Sequence, residues 1–145
     1  MPTPTHRNTP RVPRAYLDPV DNPADALAII ALAMAEPLCD EVLAFMLDDQ
    51  GRGGVITVVS ETSDDDAALR IAELLCRAAE TNDSLCSLVV ATVRPHLGLV
   101  AADEQRWLDL DALTTSYGIE LTEWFVIGPD GPALPRTLTG EPDRW

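Results

Sequence analysis

The chain has 145 residues, enough for one domain with a real core and too few for two. Apolar residues make up 46%, which excludes a disordered chain, and the formal net charge of −14 opposes broad binding to nucleic acid or anionic membrane. All ten basic residues are arginine, a usage that GC-rich coding explains. Cys39, Cys76 and Cys86 are odd in number and lack paired spacing, so they read as small apolar filler in a reducing, cytoplasmic compartment. The N-terminus is polar and Pro-rich rather than a secretory signal. The longest apolar run, 26–35, falls far short of the roughly 20 residues a membrane span needs.

Residues 1–21 read as a flexible arm containing Pro2, Pro4, Pro10 and Pro13, and Arg7, Arg11 and Arg14 with no acid before Asp18. Its basic stretch is suited to docking on the acidic body of the chain or of a neighbour. Asn22-Pro23 then opens a helix, with Asn as N-cap, Pro in the first turn and Asp25 facing the dipole. That helix is apolar all round, which predicts burial on more than one side.

Residues 41–47 predict a strand, 48–54 a Gly-rich hairpin turn and 55–59 its partner strand. Asp64, Asp65 and Asp66 precede a helical stripe of Ala68, Ile71, Ala72, Leu75 and Ala79. A helix N-terminus explains these aspartates more simply than a metal cluster does. The apolar run 85–93 predicts a central strand buried on both faces, followed by a break at Arg94-Pro95-His96. A helix follows over 103–117, with Trp107, Leu110, Leu113 and Tyr117 inward and Gly118 as its stop. The last long strand covers 119–127. Residues 131–145 read as a tail packing on the body through Leu134, Leu138 and Trp145, with Trp145 also placed to anchor a partner or a second copy.

A hairpin followed by β-α-β-α-β steps predicts an α/β fold, a mixed sheet with helices on both faces. Ligand sites in such sheets lie beyond the carboxyl ends of central strands, here the loop 94–103. No phosphate loop or nucleophile elbow is present.

The element order, with AAETNDSLCSLVVATVRP (78–95), the helix 103–118 and GIELTEWFVIG after it, resembles the RadC-like branch of the JAB/MPN family. The resemblance covers roughly 36–128 and implies a cytidine-deaminase-like architecture for the body, 22–130. Enzymes of that family hold zinc on a His-x-His-Pro loop and a later Asp, with a Glu as general base. Here Arg94 stands at the first His position, His96 remains, and the loop to Asp103 is shorter than the family's. Asp103 matches the acidic ligand, and Glu61 is the loosest match, to the base. Where the family often has Asp-His, this chain has Glu123-Trp124.

One His and one Asp are too few for a catalytic zinc, and Arg94 opposes a metal electrostatically. A salt bridge from Arg94 to Asp103 or Glu104 is the substitution to expect. The resemblance therefore implies a catalytically degenerate protein without zinc or another cofactor. It would act as a protein-binding or scaffolding module, with a protein partner or a second copy, through Arg94, His96, Asp103, Glu104 and Trp107. A remodelled metal-dependent hydrolase using Glu61, His96 and Asp103 is the first alternative. A DNA-repair accessory role is the second, and only the basic N-terminal arm speaks for it.

Overall fold

The computed structural model describes residues 12–145. A mixed sheet of five strands forms its centre, in the order β2-β1-β3-β4-β5. The chain runs α1 (Pro23–Ala33), β1 (Glu41–Asp48), β2 (Ile56–Ser60), α2 (Ala67–Ala79), β3 (Leu85–Val93), α3 (Asp103–Ser116), β4 (Glu120–Gly128), β5 (Gly131–Ala133) and a 3-10 turn (Pro135–Thr139). β1 pairs antiparallel with β2 and with β3, and β3 pairs parallel with β4 across the α3 crossover. The expected α/β class, with helices on both faces of a mixed sheet, is what the chain adopts.

Alternation along the strands builds two cores. On one face Val42, Ala44, Met46, Leu88, Val90 and Val126 meet α2 and α3. On the other, Leu43, Phe45, Leu47, Val89, Ala91 and Phe125 meet α1. The near-continuous apolar strands β1, β3 and β4 are apolar because both of their faces are covered. Trp107, Trp124 and Phe125 are the largest fully buried side chains. Truncating any one of them would cost about 3–5 kcal/mol. Cys39, Cys76 and Cys86 are free, and burial pushes the Cys76 thiol up to about 11, which keeps it unreactive. Among the described residues no helix is long and apolar enough to cross a membrane.

Three details differ from the sequence expectation. α1 begins as expected, with Asn22 Oδ1 accepting from the Asp25 N–H at 2.9 Å. Only Ala26 and Ile30 are buried along it, however, and Leu32 is 73% exposed. One sheet face covers one stripe of a helix, and among the described residues Leu32, on the opposite stripe, is left open. The assigned arm is also pinned to the body over part of its length: the Tyr16 N–H donates to Gly53 O, the Val20 N–H donates to Gly51 O, and Val20 is buried. Arg14 pairs with Asp18 at 2.9 Å, whereas Arg7 and Arg11 lie outside the described residues. In the tail, Leu134 and Trp145 pack on the α1-side core, but Leu138 is 39% exposed because the 3-10 turn directs it outward.

The tail is fixed by charge as well as by apolar contact. Glu123 on β4 is fully buried and receives Arg136 Nε at 3.1 Å, Arg136 Nη2 at 3.3 Å and Trp145 Nε1 at 3.4 Å. Arg136 Nη1 also donates to Glu141 O at 2.6 Å. Arg144 spans Asp111 Oδ1, the Leu121 carbonyl and Glu141 Oε2, and lies 5.1 Å from the Trp107 ring centre. Removing one partner of a buried ion pair strands the other's charge. Arg136→Met is therefore expected to destabilise the fold by about 3–5 kcal/mol, measured by urea unfolding, while the double change Glu123→Met with Arg136→Leu restores most of the loss.

Candidate functional site

β3 and β4 run parallel, so their carboxyl ends open on the same edge of the molecule. The Arg94 N–H donates to Ile127 O at 2.8 Å, extending their pairing one residue past β3. The loop then turns back over β4. A side chain at Gly128 would meet Gly98 Cα at 2.6 Å, so glycine at 128 lets the loop lie directly on the strand. The loop next delivers Asp103 as the first residue of α3.

Asp103 is fully buried, yet both of its oxygens are occupied by donors. Oδ2 accepts from Arg94 Nη1 at 2.7 Å and from the Val100 N–H at 2.8 Å. Oδ1 accepts from Arg94 Nη2 and from Arg106 Nη1, each at 2.8 Å. Arg94 thus grips the carboxylate in bidentate fashion, and its Nη1 also reaches Gly98 O at 3.3 Å. Burial pushes the Asp103 carboxyl up, but hydrogen bonds from Arg94, Val100 and Arg106, with the charge of Arg94, outweigh it and hold the group below the usual carboxylate range.

Above this clasp lies a cleft of about 370 Å³. Arg94, Arg106, Val93 and Trp124 line it from the sheet and α3, and His96 and Leu97 from the loop. Asp40, Thr62, Ser63, Asp64 and Asp65 line it from the segments that flank β1 and β2. Trp124 Nε1 donates to Thr92 Oγ1 at 3.0 Å, which orients the indole. Asp65 pairs with Arg106 at 3.3 Å and Asp64 pairs with Arg70. The Asp66 N–H donates to Asp64 Oδ1 at 2.9 Å. The three aspartates therefore form the turn that enters α2 and its ion pairs, although α2 itself starts after them at Ala67.

The residues singled out from the sequence end up in different environments. Arg94 and His96 line the cleft, and Asp103 lies buried beneath it, clasped by arginine. His96 is exposed and makes no hydrogen bond within the described residues. Glu61 is exposed, adopts a left-handed backbone (φ 57°) and does not line the cleft, although its neighbour Thr62 does. Glu104 is exposed in the first turn of α3 and also lies outside the cleft. Trp107 is fully buried, its Nε1 donating to Glu141 Oε2 at 3.3 Å, so it is a core residue rather than a contact surface. Trp145, likewise, is engaged with Glu123 of its own chain. Among the described residues no three His, Cys, Asp or Glu side chains are grouped so as to hold a metal ion.

Arg106 is the site residue that sequence reasoning missed. Its spacing of three from Asp103, on one helix face, was the available signal. Asp40 carried no signal, because its place at the cleft depends on the β1–β3 register. No protein-family profile matches the chain, and no curated protein matches it.

A carboxylate held low in the folded state stabilises the fold above its unfolded value, about 3.9, and that contribution is lost as the pH falls through the folded value. Asp103→Asn is expected to cost about 3 kcal/mol at neutral pH, because two arginines lose their counter-charge. The difference from the parent chain should shrink below about pH 4. Urea midpoints measured at neutral pH and near pH 3 check both outcomes.

Proposed function

We propose that this chain is a catalytically degenerate JAB/MPN-like protein of the RadC type, acting as a protein-binding or scaffolding module through the cleft at the carboxyl ends of β3 and β4. The observation that carries this reading is the bidentate grip of Arg94 on Asp103. In the resemblance, Asp103 matches the acidic metal ligand and Arg94 stands at the first His. Two guanidinium groups now hold that carboxylate, so the acid meant for a divalent cation is already neutralised by cations the protein carries itself. A metal would have to displace Arg94 and Arg106 and would bring further positive charge beside them.

What remains is a preformed cleft with a rigid floor. Arg94 and Arg106 are locked by Asp103, Trp124 is oriented by Thr92, and the exposed Leu97 and His96 stand at the mouth. Such a surface suits recognition of a protein segment, in which side chains that are already ordered lose little further freedom on contact. Arg106, 23% exposed and shared between Asp103 and Asp65, is the cation best placed to meet a partner's carboxylate.

A zinc titration by calorimetry on metal-free protein separates this reading from hydrolysis. The expected result is no tight one-to-one binding, whereas tight binding lost in both His96→Ala and Asp103→Ala would overturn it. The scaffolding role is checked by a photo-crosslinker at Leu97. One discrete protein adduct is expected there and none from the exposed Leu74 on α2, and equal labelling from both positions would count against a role for the cleft.

A further inference from the structure

A second cleft, of about 440 Å³, opens at the opposite end of the sheet, where the β1–β2 turn faces the end of α2 and the start of β3. Its walls are largely apolar, with Met46, Leu75, Leu85 and Ala78 among them. Arg52, in the hairpin turn, also lines it. The backbone of Arg52 closes the turn, its N–H donating to Asp48 Oδ1 at 2.9 Å and its carbonyl accepting from the Asp48 N–H at 2.8 Å. The side chain is not needed for that closure. Nη1 donates to Gln50 Oε1 at 2.8 Å, while Nε is buried and meets no protein acceptor. It is the only buried side-chain N or O among the described residues left without a partner.

A buried N–H without an acceptor costs about 1–3 kcal/mol, so folded chains rarely keep one without a reason. With Nη1 engaged by Gln50, the guanidinium edge of Nε and Nη2 has no protein acceptor, and a turn of the side chain that brings this edge to the cleft would let it take a carboxylate through two parallel hydrogen bonds. Asn82, also on the cleft wall, has Oδ1 taken by the Ser84 N–H and hydroxyl, at 3.1 and 2.6 Å, which leaves its amide NH₂ as a second donor. The acid that lines the cleft, Asp48, is turned into the hairpin by the N–H groups of Gln50 and Arg52. The volume falls in the range of small-molecule sites, about 300–1,000 Å³.

We propose that this cleft binds an apolar monocarboxylate, its carboxylate on Arg52 and its hydrocarbon part against Met46, Leu75 and Leu85. Two sources share this chemistry, a free aliphatic acid and the C-terminal carboxylate of a peptide. The site lies at the other end of the sheet from the Arg94–Asp103 clasp and does not depend on the function proposed for that cleft.

The test is an amide-resolved NMR titration of the full chain. The probes are octanoate, octanol, and a short acetylated leucine-rich peptide ending either in a free carboxylate or in an amide. Saturable shifts at residues 52–54 and 78–85 are expected with octanoate or with the free-carboxylate peptide, and whichever binds more tightly identifies the source. Arg52→Met, which leaves the backbone of the turn intact, should weaken binding about tenfold or more. Ala78→Trp should fill the cleft from an exposed position and abolish binding while leaving the spectrum of a folded chain. Octanol binding as tightly as octanoate, affinity unchanged in Arg52→Met, or no saturable shift with any probe would each overturn the proposal.

Discussion

A carboxylate taken out of water needs donors buried with it, and among the described residues Asp103 and Glu123 find theirs in arginine, whereas Glu41 accepts from the Ala35 N–H instead. Asp103 enters from α3 with Arg94 and Arg106, and Glu123 enters from β4 with Arg136. Both clusters bind segments that share no regular secondary structure. The first ties the loop after β3 to the start of α3, and the second ties the tail to the middle of the sheet. Apolar packing gives the two layers their thickness, but these arginine clasps determine how the loops and the tail lie across them. Lysine would serve poorly in either place, because a point charge cannot grip both oxygens of a carboxylate at once.

The clasp around Asp103 also explains why the edge at the carboxyl ends of β3 and β4 is so well defined. A carboxylate placed to receive a mobile cation keeps at least one oxygen accessible. Here one backbone N–H and two guanidinium groups use both oxygens, and the loop is pressed against β4 by the absence of a side chain at Gly128. The result is a cleft whose walls are set before anything enters it.

Much of the architecture was legible in the sequence because it rests on local pattern. The runs that form β1, β3 and β4 are short and apolar and are bounded by turn residues, and the Gly-rich stretch between β1 and β2 is turn chemistry. α3 announced itself through an inward stripe and a Gly that takes φ +71° at its end. The Arg94–Asp103 pair could be anticipated because both residues lie in one short loop. What could not be read depends on distance. The apolar pattern of α1 cannot say how many neighbours it has, so Leu32 was expected to be covered when it is not. Arg136 finds Glu123, and Arg144 finds Asp111, only once the sheet has formed. β5 has three residues and the turn after it five, too few for a periodicity to appear. Glu61 could be placed in sequence but not in space, because the left-handed backbone at that residue accompanies its position outside the cleft.

The pairing of Glu123 with Arg136 ties the completion of the sheet to the order of synthesis. The acid is translated thirteen residues before its cation, which at about 5–20 residues per second is an interval of roughly one to three seconds. During that interval β4 carries a charge that the interior cannot accept, so the strand gains little by docking on β3 early. The docking of β4 on β3 is therefore completed by a polar residue in the tail.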